Sequence, residues 1–237
     1  MRLILLLSIC LLLDTSSGIK ASPRQQLETA DSLFANNKFT ESFQLYDSIF
    51  RSGEASEAML LRMAFIKEGL QDYTQALVYL NHYYKITGDR RAMNKIRETA
   101  VSHNLVGYEY SDREFIVHNI LLFRNEFIFG CVALLMGLSY WLFRRLRRKD
   151  SLVLPLTLQV LVSGLLFLLG NNFYRETKAI ISTDKTFLRS APSAAAEPIE
   201  VVEKGHRITI LNEQDAWIKI EWEGQEAFLR KGRIEKI

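Results

Sequence analysis

Residues 137–159 read GLSYWLFRRLRRKDSLVLPLTLQ, and the fold turns on this stretch. Arg144, Arg145, Arg147, Arg148 and Lys149 are crowded together with only Asp150 against them. On either side the chain is apolar: residues 127–143 and 152–170 contain no charged side chain. Each run suits a helix crossing roughly 30 Å of hydrocarbon. The first can begin near Ile120 if Arg124 and Glu126 sit at headgroup depth. Tyr140 and Trp141 close it, where amphipathic rings favour the membrane interface. Pro155 falls in the first turns of the second run, where a missing N–H matters least. Gln159 is the clearly polar group of that run. It is expected to be tolerated near the interface rather than to bond across to the neighbouring helix.

A basic run can also signal nucleic acid. The chain's formal charge is +3 and residues 144–150 contribute +4, so the remainder is near neutral. With no second basic face, nucleic-acid binding loses its electrostatic basis. Short loops rich in Arg and Lys stay in the cytoplasm. The five basic residues are therefore read as topology determinants, with both flanking segments outside. Contact with anionic lipid is secondary.

The N-terminus supplies an independent signal. Arg2 precedes an apolar run over residues 3–13, followed by Thr15, Ser16, Ser17 and Gly18. That is the grammar of a secretory signal peptide over 1–21, and the run is short for a span. Cys10 as a lipobox cysteine is disfavoured by the large Ile9 before it and the leucines after it. Neither Cys10 nor Cys131 is placed for a disulfide, zinc site or redox pair.

Residues 23–84 repeat. LETADSLFANNKFTESFQLYDSIF overlays LRMAFIKEGLQDYTQALVYLNHYY with a period of 34, pairing Ala30 with Ala64, Phe39 with Tyr73, Ser42 with Ala76 and Tyr46 with Leu80. Small residues let two helices approach; large ones fill the space between them. A unit of this length cannot bury its face alone, so units stack. The pattern resembles the tetratricopeptide (TPR) family, without its early tryptophan and with Asn36-Asn37 at the first turn; Gly69 lies near the second. Asp89 is placed to cap a further helix to Asn104. The resemblance implies a binding surface, not a catalyst. Its concave positions would be Arg24, Asp31, Phe34, Phe65 and Glu68, each also readable as an ordinary solvated or packing position.

From Lys178 the texture changes. RITIL and WIKIEW alternate as half-buried strands do, EKG and EGQ mark turns, and SAPSAAAEP is a loop. Several short strands in so few residues suggest a small barrel. The order Ala179-Ile180-Ile181, Phe187-Leu188-Arg189-Ser190 with Pro192, Lys204-Gly205, Ile208–Leu211, Trp217–Ile220 and Gly224–Leu229 resembles the bacterial SH3 (SH3b) family. One departure is Ala227-Phe228-Leu229 where the family often has Gly-Trp-Val. Some members bind cell-wall peptides and others proteins. Trp217 and Phe228 could form an aromatic platform, but Trp217 is expected rather to pack the barrel core.

No catalytic constellation is visible. His82, His103, His118 and His206 are scattered without metal-ligand spacing, and His206 reads as a solvated turn residue. Glu221 and Glu223 share a strand face by period two, but nothing encloses them. No cofactor is implied.

The expected chain is thus a multi-domain membrane protein. It has a signal peptide (1–21), all-α TPR-like hairpins with a capping helix (22–104), a linker (105–119) and two transmembrane helices (120–143 and 151–171) joined by a basic cytoplasmic loop (144–150). An all-β SH3b-like small barrel (178–237) follows. This order resembles the TPR-plus-SH3 membrane proteins of the Bacteroides aerotolerance operon (the BatE type). That resemblance implies a bacterial inner membrane with both modules periplasmic. It also implies protein partners including von Willebrand A-domain proteins of the same operon, and an indirect role in stress tolerance. Peptidoglycan is the alternative ligand.

Overall fold

The computed structural model describes residues 22–171 and 177–237. The expected signal peptide, with Cys10, lies outside the described residues. The chain divides into two compact units, residues 1–59 and 60–237.

In the first unit, α1 (Pro23–Ala35) and α2 (Phe39–Arg51) form a hairpin. The Ser22 side chain accepts from the Gln25 N–H while the Gln25 side chain accepts from the Ser22 N–H, and Pro23 follows at the first helical position. Ala30 and Ser42 are buried, and the Ser42 hydroxyl donates to the Ala30 carbonyl at 2.8 Å. The small residues of the repeat thus do what their size allows, and the hydroxyl finds a partner as burial demands.

Next along the chain, α3 (Glu57–Gly69), which crosses the boundary at residue 59, and α4 (Tyr73–Thr87) repeat the hairpin: α3 starts 34 residues after α1, and α4 starts 34 after α2. Ala64, Ala76 and Leu80 are buried. The helical region fits TPR-like repeats. The turn residue is conserved in position rather than in type. Asn37 and Gln71 both take φ of 59°, whereas Gly69 ends α3 without the left-handed backbone its type suggested. Next, α5 (Arg90–Ser102) is capped by Asp89, whose carboxylate accepts from the Arg91 N–H.

The segment read as a linker contains a helix, α6 (Asp112–Leu122), capped by Ser111. After a break at Phe123, α7 (Arg124–Arg148) and α8 (Val153–Gly170) pack together. Their lengths of 25 and 18 residues give about 37 and 27 Å. The most apolar 18-residue window of each has a mean hydropathy of 1.7 and 2.1 respectively, and little of either window is buried. They are two helices long and apolar enough to cross a membrane. A core helix of a soluble domain would hide such a surface; these leave Phe129 and Val160 more than 70% exposed.

Two expectations are corrected. The basic residues do not form the loop: Arg144, Arg145, Arg147 and Arg148 lie on the last turns of α7, and only Lys149, with φ of 59°, leaves it. Arginine is a good helix former, and cations favour a helix C-terminus. Gln159 does bond across, donating to the Ser139 hydroxyl of α7 at 3.2 Å, which gives its amide a partner between two apolar helices.

Among the described residues, seven antiparallel strands follow: β1 (Thr177–Ile181), β2 (Thr186–Arg189), β3 (Pro198–Val202), β4 (Arg207–Gln214), β5 (Trp217–Trp222), β6 (Gln225–Arg230) and β7 (Ile234–Lys236). They pair in the order β3-β2-β6-β5-β4-β1-β7. Alternation puts Ile218, Ile220, Ala227 and Leu229 into one core with Ala179, Leu188 and Trp222. The β5–β6 turn is Glu223-Gly224, both left-handed, the two-residue hairpin that matches strand twist. Glu223 therefore leaves the strand and does not share a face with Glu221.

Candidate functional site

Two regions of the sheet differ in what lies against them. At the first, residues 105–110 of the segment before α6 are laid against the start of β4. The Val106 N–H donates to His206 Nδ1 at 3.1 Å, and the Arg207 N–H donates to the Val106 carbonyl at 3.0 Å. The Tyr108 hydroxyl donates to the Gly205 carbonyl at 2.7 Å. The Arg207 guanidinium donates to the Gly107 carbonyl and lies 5.0 and 4.3 Å from the ring centroids of Tyr108 and Tyr110. Away from this strap, Gln75 of α4 donates to Glu235 of β7 at 2.8 Å, and Lys178 of β1 pairs with Glu114 of α6.

Two glycines permit the approach. Gly107 has φ of +91°, and a Cβ there would stand 2.0 Å from the Arg207 carbonyl oxygen. Gly205 has φ of +104°, and a Cβ would meet Leu105 at 2.9 Å. Burial raises the pKa of Tyr108 and Tyr110, with Arg207 opposing, so both hydroxyls stay protonated donors. Burial lowers that of His206, against Glu200 and Glu203, which suits an Nδ1 that must accept. His206, expected to be solvated, is instead held between Val106 and the edge of Trp222.

The opposite end of the sheet is open. On β5 and β6 the outward residues alternate with the core. Trp217 is registered with Arg230, and Lys219 with Phe228, which is also registered with Arg189 of β2. A groove of about 190 Å³ runs here, lined by Lys185, Phe187, Arg189, Trp217, Arg230 and Arg233, with Ala194 of the β2–β3 loop in its wall. The Arg230 guanidinium sits 5.6 Å from the Trp217 ring centroid, and that of Arg189 sits 5.6 Å from Phe187. Trp217, expected to pack the core, is instead half-buried on this outer face, and the core indole is Trp222. Phe228 shares the face but does not line the groove. Ala227 is fully buried, so the glycine expected at this position of the family is replaced by the smallest side chain that still packs.

The remaining sequence candidates have local partners. Arg24 pairs with Glu28 at 3.2 Å, Asp31 accepts from the Tyr46 hydroxyl at 2.7 Å, and Phe34 meets Phe39 edge-on at 5.3 Å. Glu68 accepts from Lys95 of α5 at 2.6 Å, while Phe65 is 58% exposed. Sequence reasoning missed Arg207 and the strap. Its signal was Gly107-Tyr108-Glu109-Tyr110, two aromatics on one side of an extended segment, in a stretch read as a plain linker.

These features define a small SH3-type β module, fixed to a helical segment on its β4–β1–β7 side and carrying an open groove on its β2–β6–β5 side. Comparison with known families agrees: the family model described as Bacterial SH3 domain matches residues 184–235. The match begins after β1, yet β1 is hydrogen-bonded between β4 and β7 and is integral to the sheet. No curated protein matches the chain.

Proposed function

We propose that this chain is a non-enzymatic, two-pass membrane protein that gathers partner proteins on the exported side of a bacterial inner membrane. The observation that carries the reading is the asymmetry of the SH3 module. Its β4–β1–β7 edge is consumed by contacts with the helical segment, while its β2–β6–β5 face keeps an open groove of aromatic and basic side chains. A module immobilised on one side and open on the other presents a ligand site at low entropic cost. The two apolar helices supply the anchor. The domain order, which resembles the aerotolerance membrane proteins, supports protein partners of von Willebrand A-domain type and a role in stress resistance.

A second reading is recognition of peptidoglycan. The family match favours it, as do the half-buried ring of Trp217 and the exposed ring of Phe187, which suit sugar faces. Purification of the tagged full chain from native membranes in mild detergent separates the two. Near-stoichiometric membrane proteins, lost when Trp217→Ala and Phe228→Ala are combined, are expected. Muropeptides without protein partners would transfer the assignment to the wall.

A further inference from the structure

We propose that the groove between β2, β5 and β6 binds an extended acidic peptide of a partner protein, an inference that rests on the reading of the module as a partner-holding one. Residues 177–237 carry ten Lys and Arg and ten Asp and Glu, so the module as a whole is neutral. Its cations are not spent evenly. Lys178, Lys204, Lys219, Lys231 and Lys236 are each ion-paired, and Arg207 is enclosed by two tyrosines. The other four, Lys185, Arg189, Arg230 and Arg233, make no ion pair among the described residues, and all four line the groove. No carboxylate lines it. Positive charge has been segregated into one concave site on a neutral module, which is charge complementarity awaiting an anion.

The ligand class follows from shape. About 190 Å³ is too small to enclose a drug-sized molecule but enough for a few side chains of a chain lying along the surface. Three of the four cations are arginines, whose planar forks match carboxylates in pairs. Trp217 and Phe187, each under an arginine, offer apolar faces between the charges. The matching segment alternates acidic with apolar or proline residues. A lipid surface fits less well. The site is concave, and β6 at its centre lies three strands from β1, the strand that follows α8.

The test uses the full chain in a nonionic detergent. Its probe is a labelled peptide alternating Glu with Pro and Leu, followed by fluorescence anisotropy. Saturable binding is expected that weakens with salt and falls about tenfold or more in Arg230→Glu/Arg233→Glu. Lys204→Ala, which removes a paired cation outside the groove, leaves it within about twofold. Thermal melting of each variant shows that the module is still folded. The absence of saturable binding overturns the proposal, as does equal binding of the Lys-for-Glu peptide. Stronger capture of a purified muropeptide, or of phosphatidylglycerol vesicles, also overturns it. If partners co-purify from membranes undiminished by the double reversal, the groove assignment fails while the scaffold reading stands.

Discussion

Arg207 is a buried cation with no carboxylate partner among the described residues. Leaving water would cost several kcal/mol if nothing replaced it. Two tyrosine faces and the Gly107 carbonyl replace it. None of this was legible beforehand, because the partners are about a hundred residues apart and the key acceptor is a backbone carbonyl. His206 beside it was misread for the same reason: a histidine after a glycine turn looks solvated until the strap is laid over it. Its position predicts a pH dependence. Burial holds the folded pKa below the ordinary 6.5, with Glu200 and Glu203 opposing, so the fold favours the neutral ring. The contribution is complete above the unfolded pKa and is lost as pH falls through the folded value. Melting at about pH 5.5 should therefore lie below melting at about pH 7.5. His206→Asn, which keeps an acceptor near the Nδ1 position, should flatten that difference. His82 and His118, shifted downward by burial as well, retain part of it. An unchanged slope in the variant would remove His206 from the account.

At the scale of elements, what repeats or alternates was readable. The 34-residue period located four helices, and period two located β4 and β5, because both periods are imposed by backbone geometry. The outer face of β5 was poorly readable: Trp217 was expected in the core because large apolar rings usually are, and its groove partners come from β2, β6 and the following turn. Where one element meets a distant one, pattern gave no guide. The strap at 105–110 is such a case, and its dependence on Gly107 can be measured. Gly107→Ala places a methyl group against the Arg207 carbonyl and forces a left-handed backbone on alanine. The strap should detach rather than the sheet unfold, since the core cluster of the module does not include it. The expected cost is about 1–3 kcal/mol of docking. Faster amide exchange is expected at Arg207, whose N–H bonds to Val106, with slow exchange kept at Ile218 and Ile220. Loss of protection throughout β5 would instead mean that strap and sheet fold as one inseparable unit.

At the scale of the whole molecule, a chain anchored as proposed raises the question of which side of the membrane each part occupies. Positive charge decides orientation by its imbalance across the spans. Residues 144–149 hold five cations, whereas residues 105–119 on the other side of α7 hold only Arg113. The structure sharpens this, because the charges are not on a floppy loop. Arg145 donates to the Ser151 carbonyl at 2.9 Å across the turn and stacks 5.0 Å from Trp141, so charge and interfacial ring are fixed at one depth. The connection is therefore a compact basic corner, and moving it across the bilayer would carry all five charges together. Single cysteines in a background lacking Cys10 and Cys131 test the orientation with a membrane-impermeant maleimide on spheroplasts. Cysteines at the exposed Glu54 and Asp215 should react from outside, and one at Ser151 only after permeabilisation. Replacing Arg144, Arg145, Arg147, Arg148 and Lys149 with Gln should make the Ser151 position reactive in part of the population, because the apolar helices alone do not choose a direction. Labelling of Ser151→Cys from outside in the otherwise native chain would invert the arrangement. It would place the helical repeats and the SH3 groove in the cytoplasm and end the case for exported partners.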